Sequence, residues 1–273
     1  FETPLHEQQV AMSRLAALLE RLAEKAEARK RAEDGSHDTS SDSDTEEDDV
    51  RGRSPRGSAS VYGSQAYWEE RYESGIVGES TVKGELSNEW FVGYQACKDA
   101  FGDHMPKDRH VLILGNGLSL LGEDMVLDGY QDVCAVDYSE VCVKRMQERA
   151  AALKESRDSG VELPEVTYRV MDVTSLAYED ESVASVLDKA TLDTMFNMED
   201  DAVSVAKMLD ETHRILEPGG KYVCISYGEP KERLQYLEHD RFSWTLEKQL
   251  QIVKNKTLFH VYVLQKPRAN LRH

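Results

Sequence analysis

Two consecutive stretches, HVLILGNGLSL (110–120) and DVCAVDYS (132–139), decide the fold. Residues 110–115 form a near-continuous apolar run ending on glycine, as in a strand buried on both faces. Residues 120–127 then read as a helix, and 132–137 as a second strand ending on Asp137. Ser139 can cap a helix that carries Cys142, Met146, Ala150 and Leu153 on one face. The alternation continues outward through strands at 166–171, 182–188 and 221–228. A helix spans 201–216, with Pro218-Gly219-Gly220 as its stop. Residues 242–249 and 257–264 read as a closing antiparallel pair, and aromatic-bearing helices precede the first strand near 64–74 and 88–102. Strands and helices in alternation predict an α/β, Rossmann-like, doubly wound sheet, mostly parallel and covered on both faces.

In such sheets ligands bind at the carboxyl ends of the strands. The first strand ends in Gly115-Asn116-Gly117, where glycines let a ligand approach the backbone. The third glycine of a dinucleotide fingerprint is missing, since Leu120 stands there. The second strand ends in Asp137, 22 residues after Gly115 and placed for ribose hydroxyls. The third ends in Asp172-Val173, an acid for an adenine amino group beside an apolar neighbour for its ring. Each aspartate alone more often reads as a helix cap or turn residue. Glycine, acid and acid in strand order describe a nucleoside site without a pyrophosphate grip, which suits S-adenosylmethionine better than a nicotinamide cofactor.

Outside this core the texture differs. The spacing of Met12, Leu15, Leu19, Leu22 and Ala26 predicts an amphipathic helix over 4–32, docked on its own domain or on a helical partner in a short coiled coil. Residues 33–60 lack large apolar side chains apart from Val50 and read as a disordered acidic linker. Half of the formal charge of −18 lies in residues 33–50, which hold nine acids and no base. The acidity argues against nucleic acid as a partner and suits a basic protein. No apolar run is long enough for a membrane span. Four cysteines without a CxxC pair, and no His-acid cluster, predict buried thiols, no metal site and a cytoplasmic compartment. An organelle stays open, because the chain begins at Phe1 and not at Met.

The fourth strand ends in Asp188-Lys189-Ala190-Thr191-Leu192-Asp193, which resembles the D/E-K-G-T-L-D motif of class I, seven-β-strand methyltransferases acting on lysines of elongation factor 1-alpha. Tyr67-Trp68-Glu69-Glu70-Arg71-Tyr72 is similar to that family's Y-W-x-x-R-Y helix, and Glu89-Trp90-Phe91 to its D/E-W-F/Y element. Val136-Asp137-Tyr138-Ser139, Met171-Asp172-Val173 and RILEPGG (214–220) agree as well. The resemblance implies a methyltransferase domain over 61–268, behind the helical extension 1–32 and the linker 33–60, with a tail at 269–273. It implies S-adenosylmethionine as cofactor and a protein lysine, on elongation factor 1-alpha, as target. It places Trp68, Tyr72 and Trp90 as walls of the cofactor's methionine end, with Gly115 close to the cofactor. Asp137 and Tyr138 would hold ribose, Asp172 and Val173 the adenine, and Lys189 would stand beside the cofactor. Asp188 and Asp193 are positional candidates for the edge that meets the target. The chain departs from the pattern at Leu118, in place of a polar residue, and at Ala190, in place of glycine. Leu118 and the 1–60 extension motivate an alternative, a degenerate methyltransferase fold with a structural or assembly role.

Overall fold

The computed structural model describes residues 61–74, 89–155, 165–198 and 200–268. The expected helix over 4–32, the linker 33–60 and the tail 269–273 lie outside the described residues. Helices α1 (Gln65–Ser74) and α2 (Tyr94–Phe101) precede the sheet. Then follow β1 (His110–Leu114), α3 (Leu121–Leu127), β2 (Asp132–Asp137), α4 (Glu140–Glu155) and β3 (Thr167–Val170). The second half comprises β4 (Val183–Lys189), α5 (Thr191–Met195), α6 (Asp201–Ile215), β5 (Leu216–Ser226), α7 (Pro230–Leu237), β6 (Thr245–Lys254) and β7 (Thr257–Gln265). The seven strands lie in the order β3-β2-β1-β4-β5-β7-β6. Six run in one direction, and β7 alone is reversed, antiparallel to both of its neighbours. The order reverses between β1 and β4, which places the switch point above Gly115 and Lys189.

Strand alternation produces the two faces. Val111 and Ile113 join one buried cluster with side chains of α2, α3 and α4, whereas Leu112 and Leu114 join the other with α5 and α6. All four are at most 1% exposed. Burying such a side chain is worth about 1.5–3 kcal/mol, so the sheet core is the main source of cohesion.

The α/β class and the mostly parallel seven-stranded sheet agree with expectation; four details differ, the first being that the helix expected near 88–102 begins only at Tyr94, after an extended Gly93. β5 begins at Leu216, not at 221, because Pro218-Gly219-Gly220 forms a bulge within the strand: pairing with β4 breaks between Val183 and Ser185 and resumes at Lys221. β6 starts and ends later than expected, because Phe242 and Trp244 leave the strand to pack in the core, with Trp244 stacked on Tyr222 at 5.6 Å. Asn255 and Lys256, both left-handed, then close a two-residue hairpin with no glycine to announce it. The short α5 and α7 were not anticipated; Pro230 in the first turn of α7 is the signal for the second.

Candidate active site

The loop after β1 turns through two left-handed glycines, Gly115 (φ 54°) and Gly117 (φ 55°), a conformation that disfavours any residue with a Cβ. The Gly117 amide donates to Asp137 Oδ2 at 2.9 Å and the Ser139 amide to Oδ1 at 3.0 Å. The Asp137 carboxylate thus ties the turn after β1 to the turn after β2. It is 4% exposed. Burial pushes it up to about 6; the two amides favour the charged form but do not cancel the desolvation. Tyr138 is half-buried beside it, and burial with the charges of Asp137, Glu69 and Asp172 holds its hydroxyl neutral. Asp172 is exposed, its Oδ1 accepting from the amide and hydroxyl of Thr174, both at 2.8 Å. Val173 is buried in the core with Leu176.

An aromatic layer covers this edge. Trp68 and Tyr72, one turn apart on α1, stack at 5.8 Å, and Trp90 meets Trp68 edge-on at 5.7 Å. Trp68 donates its indole N–H to the Tyr62 carbonyl at 2.8 Å. The Tyr72 hydroxyl lies 3.1 Å from the position a Cβ on Gly117 would take, so α1 rests directly on the glycine loop.

Two glutamates fasten the layer. Glu69 of α1 accepts the Ser139 hydroxyl (2.7 Å) and the Glu140 amide (3.3 Å) at the start of α4. Glu89 accepts the Ser119 hydroxyl (2.9 Å) and the Leu120 amide (2.6 Å) at the start of α3. Both carboxylates satisfy donors that a helix start leaves unpaired. Lys189 pairs with Glu89 at 3.2 Å and donates to the Trp90 carbonyl at 2.8 Å. It therefore holds the segment 89–91 against the end of β4. The sequence pattern contained Glu69 and Glu89, but nothing in it distinguished capping glutamates from solvated ones.

Asp188 and Asp193 are both engaged by the fold. Asp188 is fully buried and accepts the Tyr222 hydroxyl at 2.8 Å and the Thr191 amide at 2.9 Å, so it caps α5 on the face opposite Lys189. Asp193 Oδ1 accepts from Ser226 and from Arg233, each at 2.8 Å. The Asp193 Oδ2 atom is buried without a hydrogen-bond partner. Burial also pushes Asp188 up to about 6. Asp137 and Asp188 therefore bind a proton more tightly folded than unfolded. Their contribution to stability is fully present below the ordinary value of 3.8 and is lost as the pH rises through about 6. Asp137→Asn is expected to make the fall in stability between pH 4 and 6 shallower, read by urea unfolding across that range. An unchanged slope would contradict the assignment.

The structure thus gathers Trp68, Tyr72, Trp90, Gly115, Gly117, Asp137, Tyr138 and Lys189 at one sheet edge, whereas Val173 and Asp188 belong to the core. A donor and an acceptor remain open there: Trp90 Nε1 and Asn116 Oδ1 are buried without partners. An edge with amides, carboxylates, aromatic rings and unused polar atoms fits a polar ligand that carries an aromatic base.

Residues 112–224 match a protein family described as a methyltransferase domain. A Mus musculus protein named eEF1A lysine and N-terminal methyltransferase is 33% identical over 171 residues, covering 62% of this chain and 22% of that protein. The chain thus spans about a fifth of that relative's length. Mus musculus EEF1A lysine methyltransferase 4 is 29% identical over 216 residues, covering 76% of this chain and 77% of that protein. Among solved structures, the magnesium protoporphyrin IX methyltransferase ChlM of Synechocystis PCC 6803, with bound SAM, superimposes with a TM-score of 0.52 at 14% identity, covering 76% of this chain and 93% of that one. The cyclase SpnF superimposes at 0.51 with 13% identity, covering 67% and 85%, so the fold alone does not assign a reaction. The fold is that of class I methyltransferases, residues 112–224 match a methyltransferase domain, and the chain is similar to proteins named as eEF1A lysine methyltransferases.

Proposed function

We propose that the chain transfers a methyl group from S-adenosylmethionine to a lysine of a protein, with eEF1A as the candidate target. The observation that carries this reading is the set of strand ends: Gly115 and Gly117, then Asp137, then Asp172, beneath the rings of Trp68, Tyr72 and Trp90. S-adenosylmethionine, when bound, supplies an electrophilic sulfonium methyl group. In this reading Asp137 and Tyr138 hold ribose hydroxyls, Asp172 holds an adenine amino group, and the three rings wall the methionine end. The target amine must lose its proton before it attacks, because an ammonium has no lone pair. With Asp188 buried and Asp193 bound to Arg233, water takes that proton, and the chain's part is alignment.

A second reading, a methyltransferase fold that serves an assembly, is favoured by one observation. Both Asp137 oxygens already accept backbone amides. Calorimetry separates the two. The wild-type chain is expected to bind S-adenosylmethionine, and Asp137→Ala to weaken it at least about a hundred-fold by removing a charged acceptor. Absence of binding at millimolar cofactor sinks the enzyme reading; unchanged affinity in the variant removes Asp137 from the site. Radiolabelled transfer to eEF1A, with the modified residue mapped, tests the target.

A further inference from the structure

The segment Glu89-Trp90-Phe91-Val92 separates two aromatic groups. Trp90 points to Tyr62 and Trp68, the cofactor side. Phe91 points to Phe259 at 4.9 Å and to Tyr227 at 6.5 Å, and those two lie 6.2 Å apart, so the three rings form a closed triangle. Adjacent Cα atoms are about 3.8 Å apart, so the groups are divided by the thickness of one backbone. Phe91 holds this position at a cost: its φ is 65°, a strained value for an aromatic residue. Two lysines clamp the backbone on either side. Lys189 donates to the Trp90 carbonyl at 2.8 Å and Lys254 to the Phe91 carbonyl at 2.9 Å. Tyr227 stands directly after the carboxyl end of β5 and is 50% exposed.

Three further facts narrow what such a triangle receives. Tyr227 is half-exposed and Phe91 partly buried, with Phe259 buried beneath them, so the surface that meets solvent offers ring faces to a flexible stem that ends in an amine. It adjoins Trp90, so a chain entering there reaches the cofactor side by passing one residue. Glu229 lies exposed two residues beyond Tyr227, which favours a basic partner at this surface. We infer that Phe91, Tyr227 and Phe259 form the receptor for the target lysine side chain, with Phe91 as the shared wall between target and cofactor. This inference rests on the protein-lysine reading above.

The test uses the full chain, with eEF1A as substrate and S-adenosylmethionine as donor. Tyr227→Ala removes a ring that is half in solvent, so the fold is preserved. It is expected to raise KM for eEF1A roughly ten-fold or more, as loss of one aromatic contact implies. Cofactor affinity by calorimetry is expected to stay within about two-fold, since the ring lies on the far side of Trp90. Tyr227→Phe keeps the ring and is expected to recover most of the loss, and Phe91→Leu to act in the same direction as Tyr227→Ala. Direct binding of eEF1A in the presence of S-adenosylhomocysteine supplies a readout independent of turnover and is expected to weaken in parallel. Unchanged KM and unchanged eEF1A binding in both Tyr227→Ala and Phe91→Leu overturn the receptor while leaving the enzyme reading intact. A wild-type chain that binds cofactor but neither binds nor methylates eEF1A overturns the protein-lysine reading itself, and the receptor with it.

Discussion

Glu89→Ala is expected to destabilise the domain by about 3–5 kcal/mol, the range for breaking a buried ion pair from one side. The Lys189 side chain is 5% exposed and that of Glu89 22%, so removing the carboxylate leaves an ammonium that water does not reach. The Ser119 hydroxyl and the Leu120 amide lose their acceptor in the same step. The cost therefore comes chiefly from the orphaned charge. Glu89→Ala combined with Lys189→Met removes that charge as well and is expected to recover more than half of the loss. Urea unfolding of the two single variants and the double variant decides the matter. A loss below about 1 kcal/mol for Glu89→Ala, or no recovery in the double variant, would mean that the pair is a surface-like contact.

Gly115→Ala is expected to cost about 3 kcal/mol or more, by two separable routes. The left-handed backbone at φ 54° costs a residue with a Cβ about 1–2 kcal/mol. The added methyl would also stand 2.3 Å from Thr191 Oγ1 and 2.8 Å from its Cγ2. Thr191 cannot simply rotate away, because it is β-branched and its hydroxyl donates to the Leu114 carbonyl at 2.8 Å. Thr191→Ala in the Gly115→Ala background is expected to remove the steric part and leave the backbone part. If the double variant is no more stable than Gly115→Ala, the collision is not what limits the loop.

The sheet was legible because each strand carries its own signal. Apolar runs such as HVLIL, and glycine or aspartate at their ends, need no knowledge of distant residues. The mostly parallel, doubly wound class followed from the alternation, since parallel connections leave few topologies. The site was legible only in part. Gly115, Gly117 and Asp137 lie on consecutive turns, and spacing along the chain was enough to group them as the structure does. Asp188 and Lys189 show where such reading stops. Neighbours in a strand point to opposite faces, so one becomes a buried cap for α5 and the other a clamp on the 89–91 segment. Their roles depend on Tyr222 and Glu89, residues 34 and 100 positions away. Phe91 was likewise quoted for a motif, but its left-handed backbone and its two aromatic partners exist only in the folded chain. Ala190, read as a departure from glycine, does occupy a left-handed position (φ 76°), which gives the substitution a physical meaning.

The fastening of the aromatic layer also dictates an order of assembly. Glu69 and Glu89 leave the ribosome before β1, yet their partners are Ser139, 70 positions later, and Lys189, 100 positions later. Contacts of such long range form late, because the loops they close must first be ordered by other interactions. During synthesis the rings of Trp68, Tyr72 and Trp90 therefore wait uncovered until their partners on later elements are in place. They are made before the sheet and docked after it, and in that interval they are exposed to misassociation and open to a chaperone.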